Sequence, residues 1–196
     1  MGAHRDPRNY LDVHLYNELR YLLCAATEWH VQHSVELGID GHYAQVYALD
    51  SAALHARALF EFLTAPTIQN HFGLELYGLT PLKSDRYGSR KSASELGCWS
   101  KPLHSHLMHL QNRAAAQQLR SFDGLEMKDL NRMPVDFGRE IVRLWREFIQ
   151  RLQDPGNPGN PLASLAQARL NDAIAESALV VTHDVNQCHG ISPIAW

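Results

Sequence analysis

Long apolar runs are missing from this chain: no stretch approaches the roughly 20 consecutive apolar residues that a membrane-spanning helix needs. No membrane partner is therefore expected. Cysteine is scarce, three in 196 residues, and Cys24, Cys98 and Cys188 show no CxxC spacing, which supports neither a disulfide framework nor a zinc ribbon. That usage points to a reducing, cytoplasmic setting. The opening residues, MGAHRDPRNY, are too polar for a secretory signal, and Asp6 stands where a myristoylation pattern needs Ser or Thr. A positive excess is missing too. With a formal net charge of −3 the chain does not coat nucleic acid by charge alone, and a local basic patch is the remaining electrostatic route. Histidine, in contrast, is abundant at twelve.

What is present is helical periodicity. Asp6-Pro7 reads as a cap followed by a first-turn proline, and a helix from about Arg8 to Leu37 carries Leu15, Leu19, Leu22, Ala26, Trp29 and His33 as a seam. Gly38 ends it, and Ile39-Asp40-Gly41 reads as a short turn. The next helix, His42 to Thr64, is apolar on nearly every side. Val46, Leu49, Ala53, Ala56, Phe60 and Leu63 form one face, and Tyr47, Leu54, Ala58 and Phe62 form a second, which predicts the central helix of a bundle. Asp50, Arg57 and Glu61, with His55 beside them, share one stripe on it and need partners if buried.

From 65 to 101 the period breaks. Pro66, Gly73, Gly78, Pro81, Gly88 and Gly97 mark an irregular insert, and its middle, KSDRYGSRKS, is basic. A third helix starts near Pro102, with His106, His109 and Arg113 on one face. A fourth runs from about Pro134 or Asp136 to Leu152, with Phe137, Ile141, Leu144, Trp145, Phe148 and Leu152 inside and Arg139, Arg143, Arg146 and Glu147 mostly outside. The predicted organisation is an all-α helical bundle built on a long αα-hairpin (1–154, insert 65–101), a Pro/Gly linker (155–161), and a C-terminal helix plus arm (162–196). The helix there has a weaker stripe of Leu165, Leu170, Ile174 and Leu179.

Two chemistries fit the polar residues. His106 and His109, one turn apart, suit neighbouring ligands of one metal, with Glu61, His30 or His33 to complete the set; His104 points away from them. The other is acid–base work with no metal and no cofactor, in which His106, His109 and Arg113 face Asp50, Arg57 and Glu61, imidazole moves a proton and arginine steadies developing negative charge. The same residues also make sense as a structural ion network, Glu61 with Arg113 and Asp50 with Arg57.

SAALHARALFEFL and HSHLMHLQNR, followed by the Trp-containing REIVRLWREF, resemble in order the helices of a set of poorly characterised bacterial helical proteins whose layout is similar to the HEPN superfamily. The resemblance implies a helical bundle, often a homodimer, acting in defence or toxin–antitoxin systems as a metal-independent RNase or as an RNA or partner-protein binder. In that reading His106, His109, Arg113, Arg57 and Glu61 are catalytic candidates, and Lys83, Arg86, Arg90 and Lys91 contact phosphates. The family's catalytic pattern is an Arg followed by a polar residue, with four to six residues between the Arg and a His, on a late helix. Neither Arg113 nor Arg120 has such a His, whereas Arg8-Asn9 and His14 have the spacing on the first helix, where a chain this rich in Arg and His supplies it by chance. The competing expectations are a His-ligated metal-binding bundle enzyme and a non-catalytic interaction module.

Overall fold

Asp6 caps the first helix as its place before Pro7 suggests. Its carboxylate accepts the Arg8 N–H at 2.9 Å, and proline takes the first helical position, where no N–H is needed. In the computed structural model one helical run continues from there: Pro7–Asn9, a wide π-turn over Tyr10–Leu15, and a regular stretch over Tyr16–His33, together called α1. The structure describes residues 6–33, 39–67, 72–83, 127–153, 160–183 and 194–196. Within them follow α2 (Ile39–Thr64), α3 (Met127–Leu152) and α4 (Pro161–His183), a single 3-10 turn at Leu74–Tyr77, and no strand. The fold is an all-α helical bundle. Among the described residues no helix is long and apolar enough to cross a membrane.

The predicted seam of α1 is buried at Leu15, Leu19, Leu22, Ala26 and Trp29, and Leu11, Leu23, Ala25 and Val31 are buried beside it. A helix dry on several sides must be surrounded, and α1 packs extensively against α2, α3 and α4. The centre of the bundle is therefore α1, where the sequence pattern put α2. On α2 the inward residues are Ala48, Ala52, Ala56, Leu59 and Leu63, a seam of small side chains that lets α1 come close, while Tyr47 is 70 % and Leu54 45 % exposed. Residues 39–41, expected as a turn, are the first turn of α2. Gly41 is tolerated there because a first turn has few helical hydrogen bonds to lose.

α3 matches its pattern most closely: Phe137, Ile141, Leu144, Trp145, Phe148 and Leu152 are buried, and Arg139, Arg143 and Arg146 are exposed. It begins earlier than predicted, at Met127, and carries Pro134 inside. Proline there has no N–H for the carbonyl of residue 130, a loss confined to the second turn of a long helix. Trp145 is fully buried and donates its indole N–H to Ala166 O on α4 at 3.1 Å. Alanines make that approach possible, since Ala163, Ala166 and Ala173 line the buried side of α4 with Leu170, while Leu179 of the predicted stripe is 55 % exposed. Asn160 joins the two helices. Its Nδ2 donates to Leu152 O (3.1 Å), and its Oδ1 accepts from Leu162 N (3.0 Å), just before Pro161 opens α4.

At the other end of the hairpin, Tyr77 wedges between α2 and α3. Its ring meets Phe62 edge-on at 6.1 Å and Phe148 at 5.3 Å, and its hydroxyl donates to Pro7 O at 2.9 Å. Burial pushes the Tyr77 phenol well above its ordinary value. Gly78 follows at φ 72°, the left-handed conformation that glycine adopts without strain, and ends the turn. Leu82 N then bonds Leu63 O at 2.8 Å, which ties the returning loop to the last turn of α2.

Candidate functional site

A cleft of about 510 Å³ opens between α1 and the C-terminal half of α2. α1 contributes Tyr10, His14, Leu15 and Glu18, one line at steps of four with Leu15 beside it; α2 contributes Ala58, Leu59, Glu61 and Phe62, and Ala65, Pro66 and Phe72 close the end. The π-turn sits under this line. Within it Leu11 and Leu15 are buried, and Tyr10, His14 and Leu15 line the cleft.

One wall is aromatic. The Tyr10 ring lies 5.0 Å from Phe72 and 5.3 Å from the His14 imidazole, both tilted, with Phe62 at 6.2 Å. A polar bracket ties Thr67 to Glu75. The Glu75 carboxylate accepts from Thr67 N (3.1 Å) and Thr67 Oγ1 (2.5 Å), and these bonds hold its carboxyl below the usual carboxylate range. A Cβ at Gly73 would stand 2.6 Å from Glu75 Oε2 and 2.9 Å from Thr67 Oγ1, so a larger residue there would push these side chains apart.

Glu18 and Glu61 are the acids of the lining, and each is tied to a residue outside it. His55 Nδ1 and Glu18 Oε2 meet at 2.8 Å across the α1–α2 interface, and Tyr21 lies against the same imidazole at 5.2 Å. With the proton on Nδ1, the carboxylate orients the ring and leaves Nε2 as the acceptor, the carboxylate–imidazole arrangement that suits proton transfer. Arg57 Nε donates to Glu61 Oε1 at 2.8 Å within α2. This neutralises the charge stripe locally by an i,i+4 pair, so Arg57 is spent on Glu61 rather than on Asp50.

Of the predicted catalytic residues, Glu61 lines the cleft and Arg57 holds it. His106, His109 and Arg113 lie outside the described residues, as do Arg86, Arg90 and Lys91 of the basic segment. Lys83 is exposed, one residue beyond the Leu82–Leu63 bond, at the end of α2 that closes the cleft. The sequence pattern offered His14 only as a chance spacing match and did not single out Glu18. The signal was there as Tyr10, His14 and Glu18 at steps of four on α1, opposite a polar stripe that needed partners. Among the described residues no group of three His, Cys, Asp or Glu side chains is placed to hold a metal ion. No family model, curated protein or solved structure matches the chain.

Proposed function

We propose that the α1–α2 cleft binds single-stranded RNA and cleaves it by acid–base chemistry without a metal, as the resemblance to HEPN proteins implies, with His14 in place of a late-helix histidine. The observation that carries this reading is the pairing of an aromatic wall with an imidazole in one cleft: Tyr10 and Phe72 offer faces for unstacked bases, and His14 sits on the same wall. Lys83 at the closed end supplies a cation for phosphate, and His55, oriented by Glu18, is the second proton-transfer group. The homodimer and the cytoplasmic defence role belong to the same reading, and the exposed Tyr47 and Leu54 of α2 are apolar surface available to a second copy.

The test is a fluorescent 20-nucleotide single strand incubated with purified protein in EDTA. Wild type cleaves it, His14→Ala loses about a hundredfold or more of the rate while still binding, and Phe72→Ala weakens binding by about fivefold to a hundredfold, the range of one lost base stack. A wild type that neither binds nor cuts the strand ends the proposal.

A further inference from the structure

Position 138 lies in the interior of α3 and is a glycine, a residue that costs a helix more backbone entropy than alanine and offers nothing to pack. Here the missing side chain is the point. A Cβ at Gly138 would stand 2.3 Å from Cζ3 and 2.9 Å from Cη2 of Trp196, so the indole occupies the volume that any other residue would fill. Ser177 on α4 forms the opposite side. The residue is 1 % exposed, and its hydroxyl donates to Ile174 O at 2.8 Å and so presents its lone pair to the Trp196 indole N–H at 3.0 Å. Arg146 Nη2 donates to the main-chain oxygen of Trp196 at 3.1 Å, and Arg139 Nε reaches Ala195 O at 3.4 Å.

These contacts divide by what they read. The glycine slot and Ser177 read an indole, by shape and by its single donor. The two arginines read main-chain oxygens, which every peptide has, and Ala195 itself is exposed. Nothing in these polar contacts depends on which side chain precedes the tryptophan. We infer that the slot between Gly138 and Ser177 is a peptide-binding site for a tryptophan-bearing segment, occupied by this chain's own Ala195-Trp196. A tethered ligand competes at an effective concentration on the order of millimolar, so a free peptide enters only when the resident indole is removed.

The test uses the full chain carrying Trp196→Ala and a labelled peptide copying residues 191–196, read by fluorescence anisotropy. The Trp196→Ala chain binds it saturably, and wild type binds at least tenfold more weakly. Gly138→Ala added to Trp196→Ala removes tenfold or more of the affinity, Ser177→Ala removes several-fold, and a peptide ending in Phe loses a similar amount. A folded Trp196→Ala chain without saturable binding overturns the inference, as does binding that Gly138→Ala leaves unchanged. Should Trp196→Ala not fold, Trp196→Phe keeps a ring over Gly138 and drops the N–H to Ser177. It should take up the peptide more tightly than wild type, and equal uptake by the two overturns the inference.

Discussion

α2 and α3 are each 26 residues long and opposite in pattern. α3 alternates apolar and charged faces, and its predicted inner residues, from Phe137 to Leu152, are each at most 4 % exposed. α2 is apolar on nearly every side, yet it leaves Tyr47 and Leu54 in water and reserves for α1 a seam of alanines. Contrast, not greasiness, tells a helix which way to face. When every side is apolar, the choice falls to fit, and small residues win because they let two backbones approach. The polar groups follow the same division. On α3, Arg143 bonds Glu140, whose side chain is 2 % exposed, and Glu147, and its hydrogen bonds and attraction to these acids, Glu140 first, raise the guanidinium above its ordinary value against the opposing effect of burial. On α2 the charge stripe reaches a cleft at Glu61.

The sharpest way to test that contrast is to remove the residue that α3 buries most completely. Trp145→Ala leaves a large cavity and strands Ala166 O, and should cost about 3–5 kcal/mol, seen as a fall in melting temperature of roughly 10 °C or more. Ala52→Leu tests the seam on α2, since Ala52 is fully buried against α1. Its extra volume should cost about 1–3 kcal/mol in urea unfolding; a neutral result would mean that α2 is held loosely and that its alanines do not set the approach.

Tyr77→Phe acts where the two helices meet. It leaves Pro7 O without the phenol donor and should cost about 1 kcal/mol. It also carries a pH signature. Because burial raises the folded phenol above its unfolded value, the stability that Tyr77 adds is complete below about pH 10 and is lost as pH climbs toward the folded value. Wild type should therefore lose stability on alkaline titration more steeply than Tyr77→Phe, measured by thermal melts between pH 9 and 11. The smallest effect is expected at Tyr47, 70 % exposed. Tyr47→Ser should change stability by no more than about 0.5 kcal/mol, and a larger, concentration-dependent loss would show that this face of α2 is covered by a second copy.

The polar cleft was half legible in the sequence. Arg57, Glu61 and His55 stood out because charge on an apolar helix is conspicuous, and the structure pairs the first two with each other and the third with Glu18. Glu18 did not stand out and His14 did so only as a chance spacing, because polar residues on a first helix look like an ordinary solvated face until a neighbouring helix is laid beside them. The same holds for Gly138. A glycine in a helix reads only as a weak spot until Trp196, distant in sequence, is placed over it.

Taken alone, the sequence determined that the chain is helical, where the cap at Asp6 begins it, and which side of α3 is buried, because period, capping and amphipathic contrast are local properties. It also set the wet positions of α3. Tertiary structure decided that α1 rather than α2 is the centre, that His55 of α2 meets Glu18 of α1, and that Trp196 fills the gap left at Gly138. Those outcomes depend on which surfaces fit at close range and on pairs far apart in the chain, and no local pattern encodes either.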